Sequence, residues 1–185
     1  MIQKRHGNGM EGRVAGICLL LVLLTCTGCM TADPPESGSD STWRTMELTD
    51  VRSGTAFTVA DLNDLPVLIQ PFTLTCPVCI RQQAEIANLH ATGDIPFVMI
   101  GLDIDPNGDE PSLRAYTGQH NSYGLYARSP TEMTRSLVGE FGMLILSPAQ
   151  APLVLVCPDG TGRILSPGIK SSAELARVLR EVCPS

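Results

Sequence analysis

Pro66 to Phe72 (PVLIQPF) and Ile95 to Leu102 (IPFVMIGL) run almost without a charged side chain and are bounded by turn residues. Such runs predict strands buried on both faces. Before them, Met46 and Leu48 alternate with polar neighbours, Asp50 to Gly54 reads as a turn, and Phe57-Thr58-Val59 is β-prone, which predicts a short hairpin. A helical stretch follows Cys76-Pro77-Val78-Cys79 to about Ala91, with Ile80, Ala84, Ala87 and Ala91 expected on its inner face. Pro77 suits a first helical turn, where its missing amide would have no partner anyway. Further helices are expected over about Glu110 to His120 and Pro130 to Phe141, with a short strand at Leu125 to Ala127 between them. Pro152 to Cys157 (PLVLVC) reads as a strand, Asp159 to Gly162 as a hairpin turn and Arg163 to Leu165 as the returning strand. Ser171-Ser172 then starts a closing amphipathic helix with Leu175, Val178, Leu179 and Val182 inward. Strand, helix, strand, helix, hairpin and closing helix imply a mixed sheet flanked by helices, an α/β sandwich.

The chain of 185 residues is 43% hydrophobic and 17% charged, enough for one modest domain plus extensions. Its 13 Lys and Arg against 19 Asp and Glu, a net charge of −6, exclude the electrostatic footprint of a nucleic-acid binder. The first 28 residues differ in character. Lys4, Arg5 and Arg13 precede an apolar run from Val14 to Leu24 and the small-residue stretch Thr25-Cys26-Thr27-Gly28, the pattern of a secretory signal. Cys29 follows as in the lipobox of exported lipoproteins, whose Cys carries a lipid, although Cys26 stands where that motif prefers Leu. Either a lipid on Cys29 or an uncleaved N-terminal segment would tether the domain to the membrane, outside the cytoplasm. Residues 29–42, dominated by Pro, Gly, Ser and acids, read as a flexible linker, and the folded domain is expected over 43–185.

Seven Cys in so short a chain direct attention to where they lie. Cys76 and Cys79 fall where a buried strand ends and a helix begins. Unpaired amides and the helix dipole favour negative charge there, so Cys76 is expected to ionise readily and act as nucleophile. Cys79, nearly one turn further in, is placed to attack a mixed disulfide on Cys76 and release the partner reduced. Cys157 ends a strand and Cys183 ends the last helix. Because that helix runs back along the returning strand, a second, structural disulfide between them is expected; closing about 27 residues would contribute roughly 3.5 kcal/mol by the chain-entropy estimate.

From Met46 onward the chain resembles the thioredoxin superfamily, and within it the exported, membrane-tethered thiol-disulfide oxidoreductases of the TlpA and ResA type. The resemblance rests on Phe57-Thr58-Val59-Ala60-Asp61-Leu62, Pro66-Val67-Leu68-Ile69, Cys76-Pro77-Val78-Cys79, and Ala151-Pro152 opening a strand before Asp159-Gly160. It implies a thioredoxin-like fold, a redox-active CxxC, no bound cofactor, protein thiols or disulfides as partners, and a membrane-bound electron donor. It also implies that Pro152 is cis and faces the CxxC, with Pro148 as the other candidate, and that Ala151, Thr75, Pro77 and Val78 meet the partner peptide. Two departures stand out. Thr75 replaces the usual Trp before the first Cys, and Gln70 replaces a buried carboxylate, which leaves the base for Cys79 open. Glu85 is near in sequence but on a helix position expected to face solvent, and Arg81 reads either as a cation near Cys76 or as a solvated surface residue.

Rival chemistries are weaker matches. Sco-type copper chaperones share the fold and tether, and Leu102-Asp103-Ile104-Asp105-Pro106 resembles one of their segments; two thiolates suit Cu(I), but those proteins use CxxxC and a distal His, and no His follows His120. A peroxiredoxin-like peroxidase would fit Thr73-Leu74-Thr75-Cys76, yet the preceding Pro is replaced by Ile69. A zinc site lacks a second ligand pair. Asp103-Ile104-Asp105-Pro106-Asn107-Gly108 starts like a calcium loop, but its twelfth position is Arg114, so an acidic turn is expected. His6, His90 and His120 show no ligand spacing, and no metal is expected.

Overall fold

A computed structural model describes residues 41–120 and 122–183, so the signal-like segment, Cys29 and most of the linker lie outside the described residues. Leu48–Thr49 (β1) and Ala56–Phe57 (β2) form the expected antiparallel hairpin, with Leu48 opposite Phe57. The main sheet holds five strands in the order β5-β4-β3-β6-β7. These are Val67–Phe72 (β3), Val98–Asp103 (β4), Leu125–Arg128 (β5), Val154–Val156 (β6) and Gly162–Ile164 (β7). β3, β4 and β5 run parallel, while β6 and β7 are antiparallel to their neighbours. The mixed α/β architecture matches the pattern of the sequence. All six residues of β3 are buried, as its unbroken apolar run requires of a central strand covered on both faces.

Four helices cover the sheet: Pro77–Thr92 (α1), Glu110–Gln119 (α2), Thr131–Phe141 (α3) and Ser172–Val182 (α4). On one face Val67, Ile69, Ile100, Leu102 and Val154 pack against Met133 and Leu137 of α3 and against Trp43, which has no exposed surface. Ser41–Arg44 is a 3-10 turn, and Trp43 Nε1 donates to Glu140 at 2.7 Å. On the other face Leu68, Met99, Leu153 and Leu155 meet Ile86 and Leu89 of α1 and Leu175 and Leu179 of α4. The Tyr126 ring lies so close over Gly101 that a Cβ there would run into it.

α1 corrects one expectation. Its buried residues are Cys79, Gln82, Gln83, Ile86 and Leu89, whereas Ala84 and Ala91 are exposed. Alanine offers little area to bury, and the two glutamines find buried partners. The Tyr116 hydroxyl donates to Gln83 Oε1 at 2.7 Å, and Gln82 exchanges hydrogen bonds with both the N–H (2.7 Å) and the carbonyl (3.1 Å) of Lys170. Helix α1 stops at Gly93, whose φ of 69° ends the helix in a left-handed cap that glycine adopts without strain.

β6 reaches only as far as Ile69 on β3, so the chain just before it runs beside the carboxyl end of β3. Two 3-10 turns, Met143–Leu146 and Pro148–Gln150, fill that approach and were not anticipated. Among the described residues no peptide bond is cis, so the expected cis bond before Pro152 is not there. The chain instead turns into β6 through Ala151, which holds the left-handed conformation (φ 47°, ψ 55°) while its N–H donates to the Pro148 carbonyl at 2.9 Å.

Candidate functional site

The CxxC lies at the carboxyl end of β3, where the Cys76 N–H donates to the Thr73 carbonyl at 3.1 Å and closes the turn into α1. Cys76 is the N-cap of α1, in extended backbone (φ −89°, ψ 104°), and its Sγ accepts the amide hydrogen of Cys79 at 3.2 Å. A sulfur thus occupies the place usually held by a capping oxygen, facing the amides that would stabilise a thiolate. Cys76 and Cys79 are joined as a disulfide with their Cα atoms 5.3 Å apart. Cys76 retains 8% of its surface and Cys79 none, so an approaching group meets Cys76 first. Thr75 and Pro77 beside them are exposed and Val78 is half-buried.

Behind the pair, Val51, Phe72, Leu113, Tyr116 and Tyr126 form one buried cluster with the two cysteines. Burial pushes the Tyr126 hydroxyl up to about 12 and raises Tyr116 strongly as well, so both stay neutral phenols at ordinary pH. Gln70 is fully buried, and its Nε2 donates to the Cys79 carbonyl at 3.3 Å. Cys79 Sγ lies 3.4 Å from the Pro148 carbonyl oxygen. Pro148, the second candidate from sequence, thus has its carbonyl beside Cys79, and Ala151 and Pro152 are buried.

Lys170 has no counterpart in the sequence reading. Although 96% of its surface is hidden, its Nζ donates to the carbonyls of Ser166 (2.6 Å) and Gly168 (2.8 Å), and through Gln82 the loop is fixed to α1 one turn below Cys79. No local pattern announces such a contact, which depends on a long-range approach. The large apolar side chains exposed among the described residues are Met143, Leu146 and Ile169. Met143 and Leu146 lie just before Pro148, and Ile169 lies in the loop that Lys170 holds. Arg81 is exposed. Glu85 turns to α4, where its Oε2 accepts the Ser172 N–H at 2.8 Å.

The remaining candidates sort differently. Cys157 and Cys183 are joined as a disulfide, with Cα atoms 5.2 Å apart, at the opposite end of β3 from the CxxC. A groove of about 760 Å³ opens beside them, lined by Leu65, Pro66, Ile95 and Val182, remote from the CxxC. Asp103 pairs with Arg128 at 2.5 Å, its Oδ1 accepts the Asp105 N–H and Asp105 Oδ1 accepts the Asn107 N–H, an acidic turn tied to its own backbone. His90 stacks on Tyr123 and His120 lies against Tyr116. Among the described residues no three His, Cys, Asp or Glu side chains gather as a metal site, and no helix is long and apolar enough to cross a membrane.

No protein-family model matches the chain, nor does any curated protein. Solved structures do. A secreted disulfide oxidoreductase of Mycobacterium tuberculosis, described as homologous to E. coli DsbE, superposes with a TM-score of 0.59 at 17% identity, over 77% of this chain and 99% of that one. A thiol:disulfide interchange protein of the thioredoxin family from Chlorobium tepidum gives 0.60 at 17% identity, over 74% of this chain and 91% of its own. The thioredoxin domain of a Bacteroides vulgatus thiol-disulfide oxidoreductase gives 0.55 at 17% identity, over 74% and 92%. Strand order, helix placement and these superpositions agree that the described domain has a thioredoxin-like fold.

Proposed function

We propose that this protein is an extracytoplasmic, membrane-tethered thiol-disulfide oxidoreductase that exchanges disulfides with protein partners through Cys76 and Cys79. The observation that carries the reading is a disulfide whose outer sulfur caps a helix N-terminus and accepts an amide hydrogen, while its inner sulfur is sealed. In the reduced protein the Cys76 thiolate attacks one sulfur of a partner disulfide, and the partner's other sulfur leaves as a thiolate. Cys79 then loses its proton and attacks Cys76, which releases the partner as a dithiol and restores the intramolecular disulfide. A dithiol donor, membrane-bound in this reading, returns the two electrons. Thr75, Pro77 and Val78 would meet the partner, and the exposed Met143, Leu146 and Ile169 offer apolar surface for a polypeptide rather than a small molecule. The signal-like first 28 residues and Cys29 support export and tethering, and the similar Mycobacterium protein is described as secreted.

The test is the acidity and trapping behaviour of Cys76. Its alkylation rate against pH should report a thiol well below the ordinary value of about 8.5, and a Cys79→Ser variant should accumulate a discrete mixed disulfide with its partner. An ordinary acidity at Cys76 together with no trapped partner overturns the reading.

A further inference from the structure

Lys170 is a buried cation that the packing of the sheet does not call for. It retains 4% of its surface, and among the described residues its Nζ meets no carboxylate. Its hydrogens reach three successive carbonyls instead, those of Ser166 (2.6 Å), Pro167 (3.4 Å) and Gly168 (2.8 Å). Three acceptors match the whole donor capacity of an ammonium. A neutral side chain there would leave those carbonyls turned inward without a donor, so the loop holds this path only around the ammonium.

That loop is bonded to the reacting end on two sides. The Gly168 N–H donates to the Gln150 carbonyl at 2.8 Å, Gln150 ends the 3-10 turn begun by Pro148, and the Pro148 carbonyl lies 3.4 Å from Cys79 Sγ. From α1, Gln82 clasps both the N–H and the carbonyl of Lys170. Ile169 stands between these two fastenings and keeps 36% of its surface in solvent. With Met143 and Leu146, just before Pro148, it accounts for the large apolar side chains exposed among the described residues, so they gather on segments tied to the CxxC end. We propose that Lys170 is a positioning residue for partner choice: its ammonium shapes the loop that presents Ile169 to a polypeptide joined at Cys76, so the site prefers polypeptide disulfides with an apolar side chain near the cysteine over small disulfides. This rests on the exchange reading above and deepens it. A small disulfide reaches Cys76 without using that ledge.

The experiment mixes the reduced full-length protein, freed of reductant, with increasing concentrations of insulin or of oxidised glutathione and follows the loss of Cys76 and Cys79 thiols by alkylation and mass. Lys170→Met, similar in length but without donors, should lower the ratio of the insulin rate to the glutathione rate about tenfold, as a rise in the half-saturating insulin concentration rather than a fall in the limiting rate. Ile169→Asn, at an exposed position, should lower the ratio in the same way. Should Lys170→Met not fold, Gly168→Ala takes its place, because it strains the loop at a φ of 100° and leaves the ammonium where it is. An unmoved ratio in Ile169→Asn, or equal losses on both disulfides in the folded loop variant, overturns the role of Lys170 while exchange stands. An unaltered protein that reacts with neither disulfide overturns both this role and the exchange reading.

Discussion

The two disulfides are nearly equal in burial and opposite in electrostatics. Cys76 retains 8% of its surface and Cys183 also 8%, while their partners Cys79 and Cys157 retain 0% and 5%. Exposure therefore does not distinguish them. Helix polarity does: Cys76 is the N-cap of α1, where amides point at its sulfur, and Cys183 is the C-cap of α4, where carbonyls gather and the dipole is negative. Opening the first pair yields a thiolate that its surroundings favour; opening the second yields one that they oppose. Cys157 Sγ lies 3.6 Å from the Val182 carbonyl, an acceptor that would oppose negative charge on that sulfur. In the proposed reading, the reactivity of each pair is thus set by which end of a helix its sulfur is given.

That contrast is most sharply tested by removing the reactive sulfur. Cys76→Ala should lower exchange with a peptide disulfide by at least about 10³-fold, because the nucleophile itself is lost. The double variant Cys157→Ala/Cys183→Ala should stay within about twofold of the parent, since the two pairs lie at opposite ends of the sheet and share no contact. Insulin reduction followed by turbidity measures both. Comparable losses in the two would break the comparison.

The expectations behind it were unevenly legible in the chain. A CxxC after an apolar run and before a helix is a local pattern, so its place at the α1 N-terminus could be read directly. The Cys157–Cys183 pairing needed only the direction of one strand and one helix. What escaped was non-local. The burial of Gln82 and Gln83 left no mark in the pattern, because their partners, Lys170 and Tyr116, lie 88 and 33 residues away. The two 3-10 turns before β6 are too short to leave a periodic signal, and they bring the Pro148 carbonyl beside Cys79. The tether and lipid site lie outside the described residues and stand on sequence alone.

The second pair should reveal itself in stability. Without it, the double alanine variant should lose roughly 3.5 kcal/mol, the entropy of a loop closed across 26 positions, and melt about 10 °C lower. Opening the first pair with mild reductant should lower the melting temperature about half as much, because that link spans only three positions. Calorimetry with alkylation mapping separates the two. A smaller effect is expected at the start of α4, where the Ser171 side chain accepts the Glu174 N–H at 3.2 Å: Ser171→Ala should cost about 1 kcal/mol in urea titration and leave exchange unaffected.

The smallest effect belongs to pH. Burial alone would raise Asp50, but the Tyr126 N–H and the Ser53 hydroxyl and N–H outweigh it and hold this carboxyl below its ordinary value of 3.8. A depressed acid contributes stability that is present above 3.8 and is lost as pH falls through its folded value. Asp50→Asn should therefore flatten the acid limb of a stability curve below about pH 4 without changing the limb above it. An unchanged acid limb would show that the hydrogen bonds beneath the CxxC end do not depend on that charge.

The bond from Glu85 to the Ser172 N–H has a mechanical corollary. It fastens the first turn of α4 to the flank of the helix that starts at Cys76, while the last turn of α4 hangs on Cys183. If the Cys157–Cys183 link is severed, α4 should fray from its far tip and halt at this rivet. Damage at one pole of the molecule would then be quarantined from the chemistry at the other.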